Sequence, residues 1–497
     1  MFALRALRLK RPHHMMSVIK RNISHRLHLL PTKESALEAR AVLENKLLNP
    51  QITTLSIRAS LEDVDREIKP TWDVPIWAAQ EPELYGDDAE HGIETNGVLS
   101  PTFKAMLNDI GLFRNLRRVE LTHDHEVEVG GYTGHQREWT EYREAFFKAL
   151  LLALNHPEHP AGHLHALSIC NIEDVTNYDL VKSPDFKAVL SRLDSLELCV
   201  ATDEHEAAPE SAIESVERHI FFGRDLQQYW LEPLQDKLVN LKIYSNCLWG
   251  YLPKCDLRGL HFPRLKSLAL GNMTFTHDWQ LEWIISHGDT LESLTLDDCP
   301  IIHEAMVLDD HDSERYLAFD DIEGLQWHGK EPVHWAYGAR WHDYFRKLHR
   351  ELPHLQRFGI GRGPWVPYIG EDHASEAFRA AASLPARLAA SRYQIFHWGT
   401  GPCQWVEPES CSQDEYEKIT VLEEQYDSCW DEDDPVPPPL YPDCWDEDQM
   451  ALDELLSVVE SRRSKDETPA KESLKRSSDA AGFTSHDGPS QGPRKVG

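Results

Sequence analysis

The side chains best suited to chemistry here are the histidines and cysteines, 27 and 9 in number, and their spacing decides what they could do. His123-Thr-His125 and His163-Leu-His165 are alternate residues. On a strand each pair would face one side and could hold a metal ion together. Neither has a nearby Cys or an H-E-x-x-H frame to complete a ligand set, so no metal site is expected. Cys247 and Cys255 lie eight apart, which suits no common zinc pattern. The cysteines are odd in number and scattered, with no C-x-x-C pair, and read as free thiols in a reducing compartment. The chain has no G-x-S-x-G, no G-x-x-x-x-G-K-[ST] and no G-x-G-x-x-G opening a helix. Gly359-Ile-Gly361-Arg-Gly363-Pro364 is glycine-rich, but Pro364 forbids the helix that would seat a phosphate. No catalytic residue and no cofactor is expected.

What recurs instead is a structural spacing. L-x-x-L-x-L stands at Leu265-Leu268-Leu270 and again at Leu291-Leu294-Leu296, where it continues to Cys299 and Ile301. That completes the leucine-rich-repeat pattern L-x-x-L-x-L-x-x-[NC]-x-L. Leu294 and Leu296 alternate, so both face a core, and Ser293, Thr295 and Asp297 face an open sheet surface. Between the two copies Trp279, Trp283 and Ile284 fall at helical spacing. Thr276 or Asp278 can cap that helix, and Gly288 is placed for a left-handed end. Further copies start at Ile52, Leu116, Leu164, Leu193, Leu238 and Leu355, making eight. Their start-to-start spacings are 64, 48, 29, 45, 27, 26 and 64, so three fall in the repeat window and the others hold inserts. A strand plus a helix cannot bury its own apolar face, and stacking on a like neighbour supplies the cover.

These elements divide the chain. Residues 1–30 carry seven Arg or Lys and no acid, and read as a poorly ordered basic arm or a mitochondrial transit segment. Residues 31–405 form the repeat region. It opens with a helix capped by Thr32, apolar at Ala36, Ala39, Leu43 and Leu47, and contains a polar excursion from Glu62 to Leu99. Another helix runs from Trp139 to Leu154, and Arg392 to Trp405 reads as a last strand and turn, a candidate end-cap. Trp249, Tyr251, Trp279 and Trp283 read as one packed aromatic cluster. Residues 406–450 form an acidic linker with PVPPPLYP at 435–442, a polyproline spacer that could also dock an SH3- or WW-like partner. Residues 451–497 hold a short acidic helix, apolar at Leu452, Leu455, Leu456 and Val459, and a disordered tail.

The wording from Cys247 to Ile301, CLWGYLPKCDLRGLHFPRLKSLALGNMTFTHDWQLEWIISHGDTLESLTLDDCPI, resembles a family of fungal F-box and leucine-rich-repeat-like proteins. RYQIFHWGTGPCQW at 392–405 and RLHLLPTKESALEARAVLENKLLNPQITTLSIRAS at 26–60 are similar to the same family. The resemblance implies an F-box that docks a Skp-type adaptor of an SCF ubiquitin ligase, and repeats that present a substrate. Residues 1–25 hold no L-P-x-E start, so the F-box is either lost or lies upstream of Met1.

The expected architecture is an α/β, irregular leucine-rich-repeat solenoid, parallel strands on the concave face and helices outside, with a disordered acidic C-terminal tail. The expected function is non-catalytic protein recognition as the substrate-binding part of such a ligase. The alternatives are a scaffold without a ubiquitin role, or an enzyme with its site in an insertion such as Glu62 to Leu99. By alternation, the binding face carries Arg118, Glu120, Glu197, Lys242, Tyr244, Asp297 and Arg357. A net charge of -32 excludes non-specific binding to nucleic acid or anionic membrane. No apolar run is long enough to span a bilayer. The expected location is cytoplasmic or nuclear, or mitochondrial if the basic start is a transit segment.

Overall fold

A computed structural model describes residues 25–59, 99–123, 126–128, 135–137, 140–202, 216–308, 332–362, 384–389, 392–397 and 442–481. The fold is α/β and is dominated by one nine-stranded sheet in which every neighbouring pair is parallel. Its strands are β1 (Arg26–Leu29), β2 (Thr54–Ala59), β3 (Arg118–His123), β6 (Ala166–Glu173), β7 (Ser195–Ala201), β8 (Asn240–Trp249), β9 (Ser267–Met273), β10 (Ser293–Asp297) and β13 (Arg357–Gly361), in chain order across the sheet. Between β3 and β6, β4 (Glu126–Glu128) and β5 (His135–Arg137) form an antiparallel ribbon. A second sheet holds β11 (Ile301–Leu308), β12 (Pro332–Ala336) and β14 (Tyr393–His397).

The eight L-x-x-L-x-L copies supply β2 and the seven strands after it, and β1 adds a ninth rung. The pairing keeps them in phase. Leu27, Leu55, Val119, Leu167, Leu196, Leu241, Leu268, Leu294 and Phe358 stand in one column. Leu29, Ile57, Leu121, Ile169, Leu198, Ile243, Leu270, Leu296 and Ile360 stand in the next column on the same side. Apart from half-buried Leu27, all are buried in the main core. Each contributes about 1.5–3 kcal/mol, which only a flanking rung can secure.

Helices cover this side. Helix α1 (Lys33–Glu44) starts where expected, with Ser35 N–H donating to Thr32 Oγ1 at 3.1 Å, and buries Ala36, Ala39 and Leu43. It stops short of Leu47, which is exposed. Helix α2 (Pro101–Asn108) packs beside it, and helix α3 (Thr140–Leu154) packs beside α2 in turn. The connection after β7 contains an α-helical turn at Val216–Ile220 that widens into a π-helix at Phe221–Leu231.

Between β9 and β10 lies α4 (Asp278–Ile285). It is started by Gln280, whose Oε1 accepts the N–H of His277 at 3.0 Å and of Thr276 at 2.6 Å, rather than by a Thr276 or Asp278 cap. Its core face carries Leu281, Trp283 and Ile284. Trp279 turns away and joins Tyr251, Ile302, Trp335 and Phe396 in a separate cluster, so the four expected aromatics split between two cores. Gly288 has no left-handed backbone. It is small because a Cβ there would sit 2.4 Å from the carbonyl oxygen of Glu351.

Two boundaries move. Strand β1 lies within the stretch assigned to the basic arm, so the ordered sheet starts before residue 31. Helix α6 (Trp445–Ala481) starts inside the expected linker and runs for 37 residues, not as a short segment. It packs on α5 (Trp341–Glu351), and its Ala451, Leu452, Leu455 and Val459 enter the main core. The expected end-cap strand is present as β14, but it pairs with β11. The last rung is instead covered by α6 and by residues 384–389, where Arg387 N–H donates to Ile360 O at 2.8 Å. Gly359 permits that approach, since a Cβ there would sit 2.7 Å from Leu384 O. The basic stretch before residue 25, the excursion at 60–98, the polyproline segment and the tail beyond 481 lie outside the described residues.

Candidate interaction face

The residues between the leucines form the other side of the main sheet. Arg118, Glu120, Glu197, Lys242, Tyr244, Asp297 and Arg357 all lie there, because strand alternation puts i and i+2 on one face. Open exposure does not follow. Of the seven, Arg357 is exposed, Arg118 and Glu197 are half-buried, and Glu120, Lys242, Tyr244 and Asp297 are buried. Ser293 and Thr295, expected on an open surface, are buried too.

Four residues form a charge ladder across the rungs. Arg26 Nη1 lies 2.7 Å from Glu120 Oε2, Arg118 Nε lies 2.9 Å from Glu120 Oε1, and Arg118 Nη2 lies 2.5 Å from Glu197 Oε2. Ser168 Oγ donates to the same Glu197 oxygen at 3.2 Å. Burial pushes the Glu197 carboxyl up, but Arg118 and Lys242 outweigh it and hold it below its ordinary range. Burial pushes the Lys242 ammonium down despite Glu197, and its Nζ lies 5.2 Å from the Tyr244 ring centroid.

Tyr244 crosses two rungs. Its ring covers Gly271, where a Cβ would stand 2.3 Å from Cδ1, and its hydroxyl donates to Asp297 Oδ2 at 3.1 Å. Burial, then the Asp297 charge, push the phenol well above its usual range, so it stays a donor. At the strand ends Asn171, Asn272 and Asp298 adopt left-handed backbone, with φ of 61, 58 and 52°. Asn171 Nδ2 donates to His123 O at 2.8 Å and Asn272 Nδ2 to Ser245 O at 2.9 Å, each tying a turn to the previous rung. Cys299 donates weakly to Leu270 O at 3.3 Å and Asp297 O at 3.4 Å.

The histidine pairs do not assemble a site among the described residues. His165 is exposed and faces Asp194 at 3.1 Å, and His125 lies outside the described residues. His123 is buried beside Arg143, and burial first, then Arg143, hold its imidazole well below its ordinary pKa. It lines a cleft of about 540 Å³, mouth included, with Phe147, Leu180, Trp230 and the buried Arg143–Glu173 ion pair (3.1 Å). The pair answers its own charge, so the cleft presents mainly apolar wall.

A cluster missed from sequence joins α6 to the start of α5 and the start of β14. Asp448, fully buried, accepts from Arg392 Nε at 3.0 Å and Tyr393 OH at 2.9 Å on one oxygen. Its other oxygen accepts from the His342 backbone N–H and faces His342 Nδ1, both at 2.9 Å. Tyr393 OH also accepts the N–H of Trp341 at 2.7 Å. His342, Cys444 and Asp448 could in principle ligate a metal, their donor atoms lying within 4.8 Å of one another. The Arg392 guanidinium occupies the same carboxylate, however, and a divalent cation there would meet a buried like charge. The arrangement serves to dock the helix. Arg462 adds to it by donating to Leu352 O at 2.8 Å and His349 O at 3.2 Å, at the C-terminal end of α5.

No known family matches the chain, and no curated protein matches it. No helix among the described residues is long and apolar enough to cross a membrane.

Proposed function

We propose that the sheet is the rung ladder of an irregular leucine-rich-repeat solenoid, with its polar side as the concave face, and that this face recognises a protein partner. Phase is the observation that carries the reading: nine strands lie in chain order and in register, so every rung repeats the same outward positions. In the first outward column Arg118 and Ser267 keep partial exposure and Asn240 and Arg357 are exposed, whereas Ala166, Ser195 and Ser293 are buried. A surface that is long, mixed in character and held by a packed core suits a protein better than a small molecule. The finer part, substrate reception for an SCF-type ubiquitin ligase through a Skp-type adaptor, rests on the resemblance of the segment from Cys247 to Ile301 to fungal F-box proteins.

The test compares the wild-type chain with an Asn240→Lys, Arg357→Glu double variant by proximity labelling in cells. Both sites are exposed, so the fold is expected to survive. The reading expects the variant to lose a set of wild-type neighbours while any Skp-type adaptor is retained. Identical neighbours for both chains would refute recognition through this face.

A further inference from the structure

Cys170 and Cys199 are paired residues on adjacent parallel strands, β6 and β7, on the polar side of the sheet. Paired strands lie about 4.8 Å apart, inside the Cα separation of about 4.4–6.8 Å that a disulfide spans. Both are thiols in this structure, and they sit with Tyr244 and Ala269 in a small buried cluster. Immediately after Cys170 the ladder slips by one residue at Asn171, whose backbone is left-handed. A bulge of this kind bends the strand and adds local twist at its end.

We propose that Cys170 and Cys199 form an oxidisable dithiol, a modification site that hydrogen peroxide converts to a disulfide joining the fourth and fifth rungs. The Cys199 thiolate attacks peroxide, water leaves, and a sulfenic acid forms. The Cys170 sulfur then attacks the Cys199 sulfur and displaces a second water. Two S–H bonds are lost and one S–S bond forms, with one peroxide reduced to two waters.

The surroundings select this pair. A hydrogen bond from Cys170, assisted by the Asn171 backbone and Lys242, holds the Cys199 thiol below its ordinary pKa despite burial. Burial pushes Cys255, Cys299 and Cys444 the other way, so their reactive thiolate is scarcer. Both partner thiols are nearly covered, Cys170 at 3% and Cys199 at 4% exposure, so a small oxidant is favoured over a bulky alkylator.

The experiment treats the full chain with hydrogen peroxide, quenches with acid, alkylates, digests without reductant and maps cysteines by mass spectrometry. The expected product is a Cys170–Cys199 linked peptide pair, two hydrogens lighter than the sum of its parts, forming about tenfold faster than Cys299 oxidises. A folded Cys170→Ser variant, checked by circular dichroism, should accumulate dimedone-reactive sulfenic acid at Cys199. Oxidation spread evenly over the cysteines, or no Cys170–Cys199 link in the wild-type chain, would overturn the proposal, and this arm requires no variant to fold.

Discussion

Replacing Asp448 with Ala should release α6 while leaving the central sheet intact. The carboxylate is fully buried and answers the Arg392 guanidinium, which is itself only 6% exposed. Removing one partner of a buried ion pair costs about 3–5 kcal/mol, because the survivor is left without compensation. Stranding the Tyr393 hydroxyl and the His342 N–H adds about 1–3 kcal/mol. Against this, Leu452, Leu455 and Val459 hold the helix with about 1.5–3 kcal/mol each. The loss therefore takes most of the docking energy without reaching the rungs beyond β13. Native-state hydrogen exchange reads it directly: at about 1.4 kcal/mol per decade, protection in α6 should fall by about a thousandfold or more, with β7 and β8 unchanged. Asp448→Asn keeps an acceptor but not the charge, and should fall between the two. A fall below tenfold in the Ala variant would refute the assignment of this cluster as the latch.

His287 should make stability depend on pH. Burial first, then His261, lower its pKa to about 4 in the fold, and its Nε2 accepts the Phe262 N–H at 3.1 Å. The unfolded imidazole takes its proton near 6.5, so between about pH 4 and 6.5 the unfolded state binds more protons. The contribution is fully present above that window, is lost as pH falls through it, and at about 1.4 kcal/mol per pH unit amounts to about 3 kcal/mol. His287→Gln should flatten urea-midpoint curves across the same range. Asn272→Ala should cost about 1–3 kcal/mol through a strained φ and a lost hydrogen bond, and Asn272→Gly less, since glycine keeps the left-handed backbone. Equal losses in chemical denaturation would show that the backbone conformation plays no part. Gly271→Ala should cost about 1–3 kcal/mol by forcing the Tyr244 ring off Asp297, read as a lower thermal midpoint. An unchanged midpoint would contradict that packing.

The rungs were legible because leucine spacing is a local consequence of strand geometry. Ile52, Leu116 and Leu355 announce their strands even across spacings of 64 residues. β1 escaped notice because Ser24 stands where its pattern wants a leading leucine. The turn residues carried a signal of their own: Asn171, Asn272 and Asp298 each stand seven residues after the first leucine of their copy, and Asn and Asp tolerate left-handed backbone. Gly288 shows the opposite limit. A glycine after a helix reads as a left-handed end, but its reason is a carbonyl at Glu351, supplied by another element. The apolar stripe of α6 was readable, whereas its dock was not, since His342 and Asp448 are 106 residues apart.

The polar face was readable only in direction. Alternation places Arg118, Glu120 and Glu197 together, but the same 4.8 Å rung spacing that aligns them lets their charges satisfy one another. Glu120 and Glu197 keep only 7% and 19% side-chain exposure, so an approaching partner meets a ladder already neutralised and gains little by breaking it. On the proposed reading, discrimination would come from shape and from the exposed positions, Asn240 and Arg357. This separates two substitutions that look alike in sequence. Glu197→Arg sets a second cation against Arg118 and should lower stability first, whereas Arg357→Glu changes the charge a partner meets on a rung that stays folded. A Glu197→Arg chain as stable as wild type would show that the ladder is not internally satisfied, and the face would regain its charges as contacts.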